Sequence, residues 1–367
     1  MLMKHVLAVF TAAIVMALSS AAMSDDAALK DRTIGFVLTH KSFALWQSPD
    51  GKKECPNGVN VGPREQFKAL YPDGGKFTET QLAREGEIMF PDTTPEPKLF
   101  FHEPVGKVGL GLNLDGKVDE NDFVSEDGKV AGIDNQMYRV VGCTDNYRGP
   151  EGQARHFIQD YMRKFNYNRW LIEVTDVDDL TNDPDVTVSL YRGLDALTQD
   201  AAGNFTSGGT QRVDAKWGKE FMYKTKGKIE GGVLTTTPID ITFPESQSRG
   251  YPYNAVRDWR VQLNLTSEGA EGLMAGYLDL ERWHHNLWQL WSSHHRSYGG
   301  EPVPSQYRSL RRNADAYPDP ATGQNTHISA AWDVKFTQAF ILHPDQTVAD
   351  GNEEVTKQKG KSRAAQQ

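Results

Sequence analysis

The sequence predicts a mainly β protein, α+β overall: an antiparallel, jelly-roll-like β-sandwich with helical insertions. Three observations predict it. Short runs rich in β-branched and aromatic residues recur from residue 106 onward, several alternate apolar and polar residues at period two, and acidic or glycine turns separate them. Alternation with one wet face is the mark of antiparallel rather than parallel pairing.

Taken in order, Thr33–Leu38 (TIGFVL) reads as a first strand, followed by turn pairs at Asp50-Gly51, Asn57-Gly58 and Asp73-Gly74. Short helices are predicted over Pro63–Leu70 and Glu79–Glu87, the first opened by a proline whose missing N–H costs nothing there. Pro91–Pro97, with three prolines, is an extended connector. Arg169–Thr175 and Val186–Tyr191 read as an antiparallel pair joined by a long acidic loop. Phe221–Lys224, Lys228–Glu230, Val233–Thr237 and Ile239–Phe243 continue the strand series. Two stretches alternate at period two: Arg257–Leu265, after Val256, with Trp259, Val261, Leu263 and Leu265 as the apolar positions, and then Ile328, Ala330, Trp332, Val334 and Phe336.

Helices are expected over Gly152–Asn166, Asp279–Ser297 and Pro304–Ala316. The middle one has Leu280, Trp283, Leu287, Leu290, Trp291 and His294 on a single stripe. Trp283, Leu287 and Trp291 are therefore expected to be buried, and His284 and Gln289 to face outward.

The domain plan has four parts. Residues 1–22 carry a positive start at Lys4, an apolar run over Val6–Leu18 and small residues at Ser20 and Ala22, the three parts of a cleavable secretory signal. The run is too short to cross roughly 30 Å of hydrocarbon as a helix. The predicted location is extracytoplasmic, periplasmic or secreted, with no membrane span after cleavage. Residues 23–105 form a loop- and helix-rich N-terminal subdomain, 106–343 the β-rich main domain, and 344–367 a charged tail too poor in apolar residues to order itself.

Charge narrows the partners. Forty Lys and Arg against 49 Asp and Glu leave a net charge of −9, which disfavours nucleic acid and anionic lipid. The chain has two cysteines, Cys55 and Cys143, and an even count in an exported protein predicts one disulfide.

The strongest local pattern runs from Gly111 to Asp122. Asn113, Asp115, Asp119 and Asp122 fall where a twelve-residue calcium loop places oxygen ligands, with Gly116 at the sharp turn and Val118 at the apolar position. The stretch resembles an EF-hand loop, and more closely the calcium loops of dockerin modules. It departs from them at Gly111, which offers no side-chain ligand, and Asp127 or Asp134 is the candidate replacement. The resemblance implies a structural Ca2+ held by Asn113, Asp115, Asp119, Asp122, Asp127 and Asp134. An ordinary Asp-Gly turn uses the same residue types for its own backbone. The longer string NLDG…NDF…EDG…GIDNQ, from Asn113 to Gln136, is similar to a pattern in uncharacterised secreted bacterial proteins. That similarity implies export and a metal-stabilised loop, and attaches no activity.

Other clusters carry less. Asp176, Asp178, Asp179, Asn182, Asp183 and Asp185 crowd one loop, where turns also use such residues. His284, His285, His294 and His295 cannot share one ion on a continuous helix, since the pairs lie about 15 Å apart along its axis. The sequence contains no Gly-x-Ser-x-Gly elbow, His-Glu-x-x-His pair, phosphate-binding glycine loop or haem-attachment motif. The expected function is a non-catalytic extracytoplasmic binding or accessory protein with an unknown ligand or protein partner. The rivals are a polysaccharide hydrolase using a carboxylate pair and a structural protein of a surface assembly.

Overall fold

The structure, a computed structural model, describes residues 31–60, 101–149, 169–244, 253–284 and 303–344, with the short pieces 72–73, 83–84, 87–88, 152 and 162–163. The strands in chain order are β1 (Arg32–Phe43), β2 (Ala83–Arg84), β3 (Glu87–Ile88), β4 (Phe123–Val124), β5 (Ala131–Ile133), β6 (Trp170–Val177), β7 (Asn182–Arg192), β8 (Gly209–Arg212), β9 (Tyr223–Glu230), β10 (Val233–Thr236), β11 (Ile239–Pro244), β12 (Tyr253–Leu265), β13 (Gly269–Asp279), β14 (Ala316–Pro318) and β15 (Asn325–Leu342). Two helices matter below, α1 (Met137–Val141) and α2 (Val303–Asn313).

Eight strands close on themselves in the order β1-β6-β7-β9-β10-β12-β13-β15 and back to β1, each neighbour antiparallel. The closing pair sets Gly35 opposite Ala339 and Phe43 opposite Trp332. This corrects the predicted sandwich to a closed barrel. The two folds share the same local signal, because a strand alternates identically whether its apolar face meets a second sheet or the far wall of its own. What separates them is the β1–β15 pairing, a contact between the two ends of the chain that no local pattern encodes.

Buried side chains line the barrel interior. Phe36 and Leu38 of β1, Trp170 and Ile172 of β6, Val186, Val188 and Leu190 of β7, and Trp259, Val261 and Leu263 of β12 belong to one buried cluster. The β9–β10 turn is Gly231-Gly232, both at positive φ, as a two-residue hairpin between right-twisted strands requires. Outward positions of β9 are Lys224, Lys226, Lys228 and Glu230, all exposed. At a bilayer midplane each lysine would cost about 2–4 kcal/mol, so that wall is built for water. Among the described residues no helix is long and apolar enough to cross a membrane.

Several elements differ from expectation. The β6–β7 loop is short, and Asp183 accepts the N–H groups of Asp178 (2.7 Å) and Asp185 (3.2 Å), so the acidic stretch organises its own turn. β13 was not predicted, because its sequence GAEGLMAGYLD is rich in glycine and alanine. Strands β2 and β3 lie on the predicted helix Glu79–Glu87. β1 falls within residues 23–105 and is nonetheless a strand of the barrel. The predicted helix Pro304–Ala316 is α2, ending at Asn313 because the chain then turns into β14. Residues 280–284 are helical, and Trp283 is half-buried against the core. His284 is buried rather than outward-facing, its ring 4.6 Å from that of Tyr307 on α2. Residues 285–297 with Leu287, Gln289 and Trp291, the signal 1–22, Pro63–Leu70, Pro91–Pro97, most of Gly152–Asn166 and residues 345–367 lie outside the described residues.

Candidate functional site

Two described stretches between β1 and β6, residues 44–60 and 101–149, pack against the barrel: Phe123, Ile133 and Tyr138 join the same buried cluster as Phe36 and Trp170, and Leu112 and Leu114 lie on Ala275 and Ala331. One end is pinned by the Cys55–Cys143 disulfide, with Cα atoms 5.7 Å apart, as the cysteine count predicted. Beside it Glu54 is fully buried and pairs with Arg148, while Ser48 donates its hydroxyl to the same carboxylate. Burial pushes the Glu54 carboxyl up, but the hydrogen bonds from Ser48 and Arg148 outweigh it and hold the group below its usual range. Arg148 also donates to Gly142 O, tying the pair to the end of α1.

The other end is the Asn113–Gln136 stretch, which Asp134 holds together and Asn135 and Gln136 fasten to β15. Asp134 accepts the Leu114 N–H at 2.5 Å. Asn135 donates to Ala44 O (2.9 Å) and Leu110 O (2.7 Å), and its Oδ1 accepts the Ala331 N–H of β15 at 3.2 Å. Gln136 donates its N–H to Ser329 Oγ at 2.8 Å and its side-chain amide to Asn121 O at 2.8 Å. Gly132 holds φ +72°, and a Cβ there would lie 2.2 Å from Lys117 O, so only glycine fits.

The predicted calcium ligands are engaged locally. Asn113 accepts the Gly116 N–H (2.6 Å) and donates to Lys117 O (2.6 Å). Asp115 accepts the Lys117 N–H (2.8 Å) and pairs with its ammonium (3.0 Å), both of which pull its carboxyl down. Asp122 accepts the Asp119 N–H at 2.5 Å. Asp127 pairs with Lys129 at 2.8 Å and bonds Ser125 Oγ at 2.6 Å, contacts that draw it down to about 2. Asp134 is pushed up to about 6, first by burial and then by the charges of Asp122 and Asp115. Among the described residues no group of three or more His, Cys, Asp or Glu side chains is placed to hold a metal ion.

Asp315, just before β14, approaches from the other side. Its carboxylate accepts the N–H (2.8 Å) and hydroxyl (2.5 Å) of Ser329. Burial pushes it up to about 7, against those bonds and with the charge of Asp134 adding to the rise. The residue itself is exposed, so water moderates that push.

A different chemistry lies inside the barrel. Trp170 and Trp259 are 2% and 0% exposed, with ring centroids 6.4 Å apart, and among the described residues neither indole N–H has an acceptor. A register shift between Leu38 and His40 turns Lys41 inward, opposite Val334. Its ammonium stands 4.9 Å from the Trp170 ring centre and 5.3 Å from that of Trp332. Arg192, 4% exposed, is the cross-strand partner of Trp170 and continues the inward stripe of Val186, Val188 and Leu190. The sequence reading missed all of these. Arg192 could have been found as a charged residue at the next position of an apolar period-two stripe; Lys41 could not, since the bulge that turns it has no sequence mark.

One triad-like grouping fails on geometry. His40 Nε2 is 3.1 Å from Ser42 Oγ and 3.5 Å from Asp333 Oδ2, so serine and acid share one ring nitrogen. A nucleophilic triad needs them on opposite nitrogens. Comparison of the chain with protein-family models, curated proteins and solved structures finds no match.

Proposed function

We propose that this is an extracytoplasmic, non-catalytic binding protein whose site is the interior of its closed barrel. One observation carries the reading: the indole N–H groups of Trp170 and Trp259 are buried there with no acceptor among the described residues. A buried donor left unmade costs about 1–3 kcal/mol, which an acceptor on a bound molecule would recover. An eight-stranded barrel is wide enough either for its own side chains or for one small ligand. The secretory pattern of residues 1–22 and the Cys55–Cys143 bridge support the extracytoplasmic location.

The test is Trp259→Phe, which keeps a ring and deletes the donor. The ligand-free variant should be as stable as the parent or more so, and it should lose the small-molecule adduct that native mass spectrometry finds on the parent. A destabilised variant, together with a parent that carries no adduct from any exported fraction, would overturn the reading.

Calcium belongs to this proposal as a stabiliser of residues 111–134. Its support is the mutual repulsion of Asp134, Asp115 and Asp122, which a cation would relieve. The melting temperature should rise with free calcium and fall back in chelator, and Asp115→Ala should abolish the difference. Equal melting in both conditions would remove calcium from the account.

The hydrolase reading draws on Asp134 and Asp315, two neighbouring carboxyl groups that are both pushed up. It is the weaker one. Asp134 is buried with Leu114 on its outer oxygen, and both oxygens of Asp315 are held by Ser329.

A further inference from the structure

A groove on the outer face of the barrel, independent of the interior, ends at a buried acceptor with nothing to accept. The chain from 194 to 213 joins β7 to β8 and runs on past it. Leu197 and Val213 are buried there with Val37, Leu171 and Ala339, which lie on the opposite strand face from the inward Phe36, Trp170 and Phe336. β8 pairs with the end of β15, Gly209 opposite Ala339, and Gly208 donates its N–H to Gln338 O at 2.9 Å.

Gln211 of β8 is 1% exposed. Its Nε2 donates to Ala196 O at 3.0 Å, which fixes the way the amide points. Its Oε1 is thereby buried with no donor among the described residues. Gln211 lines a narrow cavity of about 10 Å³ with Thr198 and Thr206, room for one water-sized group. That cavity shares Thr39, Phe205 and Thr337 with a groove of about 320 Å³, at the lower end of the range for small-ligand sites. Thr39 is the extra residue of the β1 bulge, between Leu38 and His40.

The groove's chemistry selects its guest. Lys335 pairs with Glu271 at 3.1 Å, which leaves Glu268 as the net charge on the groove and disfavours an acid. Thr39 gives its own hydrogen to Lys335 O at 3.1 Å, so toward the groove it accepts, as Gln211 Oε1 does. Ser207 and Thr337 add hydroxyls that both give and take. A ligand hydroxyl answers both kinds of group, whereas an ammonium only donates. Phe205 offers the apolar surface on which C–H groups of a ring can lie.

We propose that this groove binds a neutral sugar, one hydroxyl reaching Gln211 Oε1 and the C–H face of the ring lying against Phe205. The full chain is passed over immobilised neutral polysaccharides (glucan, galactan, mannan and xylan), over polygalacturonate, which is acidic, and over chitosan, which carries amines. At least one neutral polymer should retain the chain. Gln211→Met, which removes the buried acceptor at similar length, should weaken that retention at least about tenfold. Glu268→Ala alters only an exposed side chain and should weaken it several-fold; if Gln211→Met loses its melting transition, Glu268→Ala decides alone. Retention by no neutral polymer would overturn the proposal, whether or not chitosan or polygalacturonate holds the chain. A neutral polymer that holds parent and both variants equally would overturn it too, because the sugar would then sit elsewhere.

Discussion

Tyr317 donates its phenolic hydrogen to Asp258 Oδ2 at 2.5 Å, and both residues hold the left-handed backbone, at φ +54° and +50°. The bond ties β14 to β12 at the point where the β12–β13 register slips between Arg257 and Arg260. Arg257 lies 4.2 Å over the Tyr317 ring and pairs with Asp240 at 3.4 Å. A non-glycine residue held at positive φ costs about 1–2 kcal/mol, so the surrounding contacts must hold both in place.

Tyr317→Phe should therefore lower stability by about 1–3 kcal/mol and leave Asp258 strained without its partner. Adding Asp258→Gly should recover part of that loss, because glycine takes positive φ freely. Urea unfolding of the four proteins of this cycle gives the coupling. Strictly additive losses would show that the bond does not hold the strain.

Asp134 makes stability depend on pH. Its folded value of about 6 lies above the ordinary 3.8, so between those values the folded chain binds more protons than the unfolded one. Its contribution is most favourable below about pH 4 and falls as pH rises through 6, a loss of about 2–3 kcal/mol from this group. Asp134→Asn keeps an oxygen for the Leu114 N–H and should flatten that slope relative to the parent. A variant with the parent's slope between pH 4 and 7 would remove Asp134 as its source.

Gly132→Ala should release the Asn113–Gln136 stretch from the wall, since its Cβ would meet Lys117 O at 2.2 Å and Asn113 Nδ2 at 2.5 Å. Amide exchange is the measurement. Protection should fall at Leu114 and Gln136 and persist at Ile172 and Val261 in the barrel. Unchanged exchange at Leu114 would mean that the backbone there yields easily.

The disulfide spans 88 residues, and in the chain-entropy model such a closure stabilises by about 4–5 kcal/mol. Replacing Cys55 and Cys143 together by serine should lower the unfolding midpoint while the β-sheet circular dichroism survives, because both cysteines lie outside the barrel strands. Loss of the sheet signal at low temperature would show that the barrel depends on the bridge.

Local chemistry made much of this legible in the sequence. Period-two alternation at Arg257–Leu265 and Ile328–Phe336 identified β12 and β15, and the cysteine count identified the bridge. The density of Asp, Asn and Gly over residues 113–136 marked a loop of consequence. Each is a property of neighbours in the chain, so periodicity and turn chemistry suffice to find it. β13 escaped because glycine and alanine give its inward stripe too little contrast.

What only the tertiary structure decided is closure and aim. Pairing β1 with β15 turned a two-faced sheet into a barrel, and that contact joins residues about 300 positions apart. The bulge after Leu38 then turned Lys41 inward, and Arg192 came to face Trp170 across the β6–β7 pair. Which face a charged residue takes depends on register, and one residue of slip sends it to the other side. The amino-acid sequence alone therefore determined most of the strand segments and where the chain is clasped, while the three-dimensional pairing decided closure and turned Lys41 and Arg192 to the inner face.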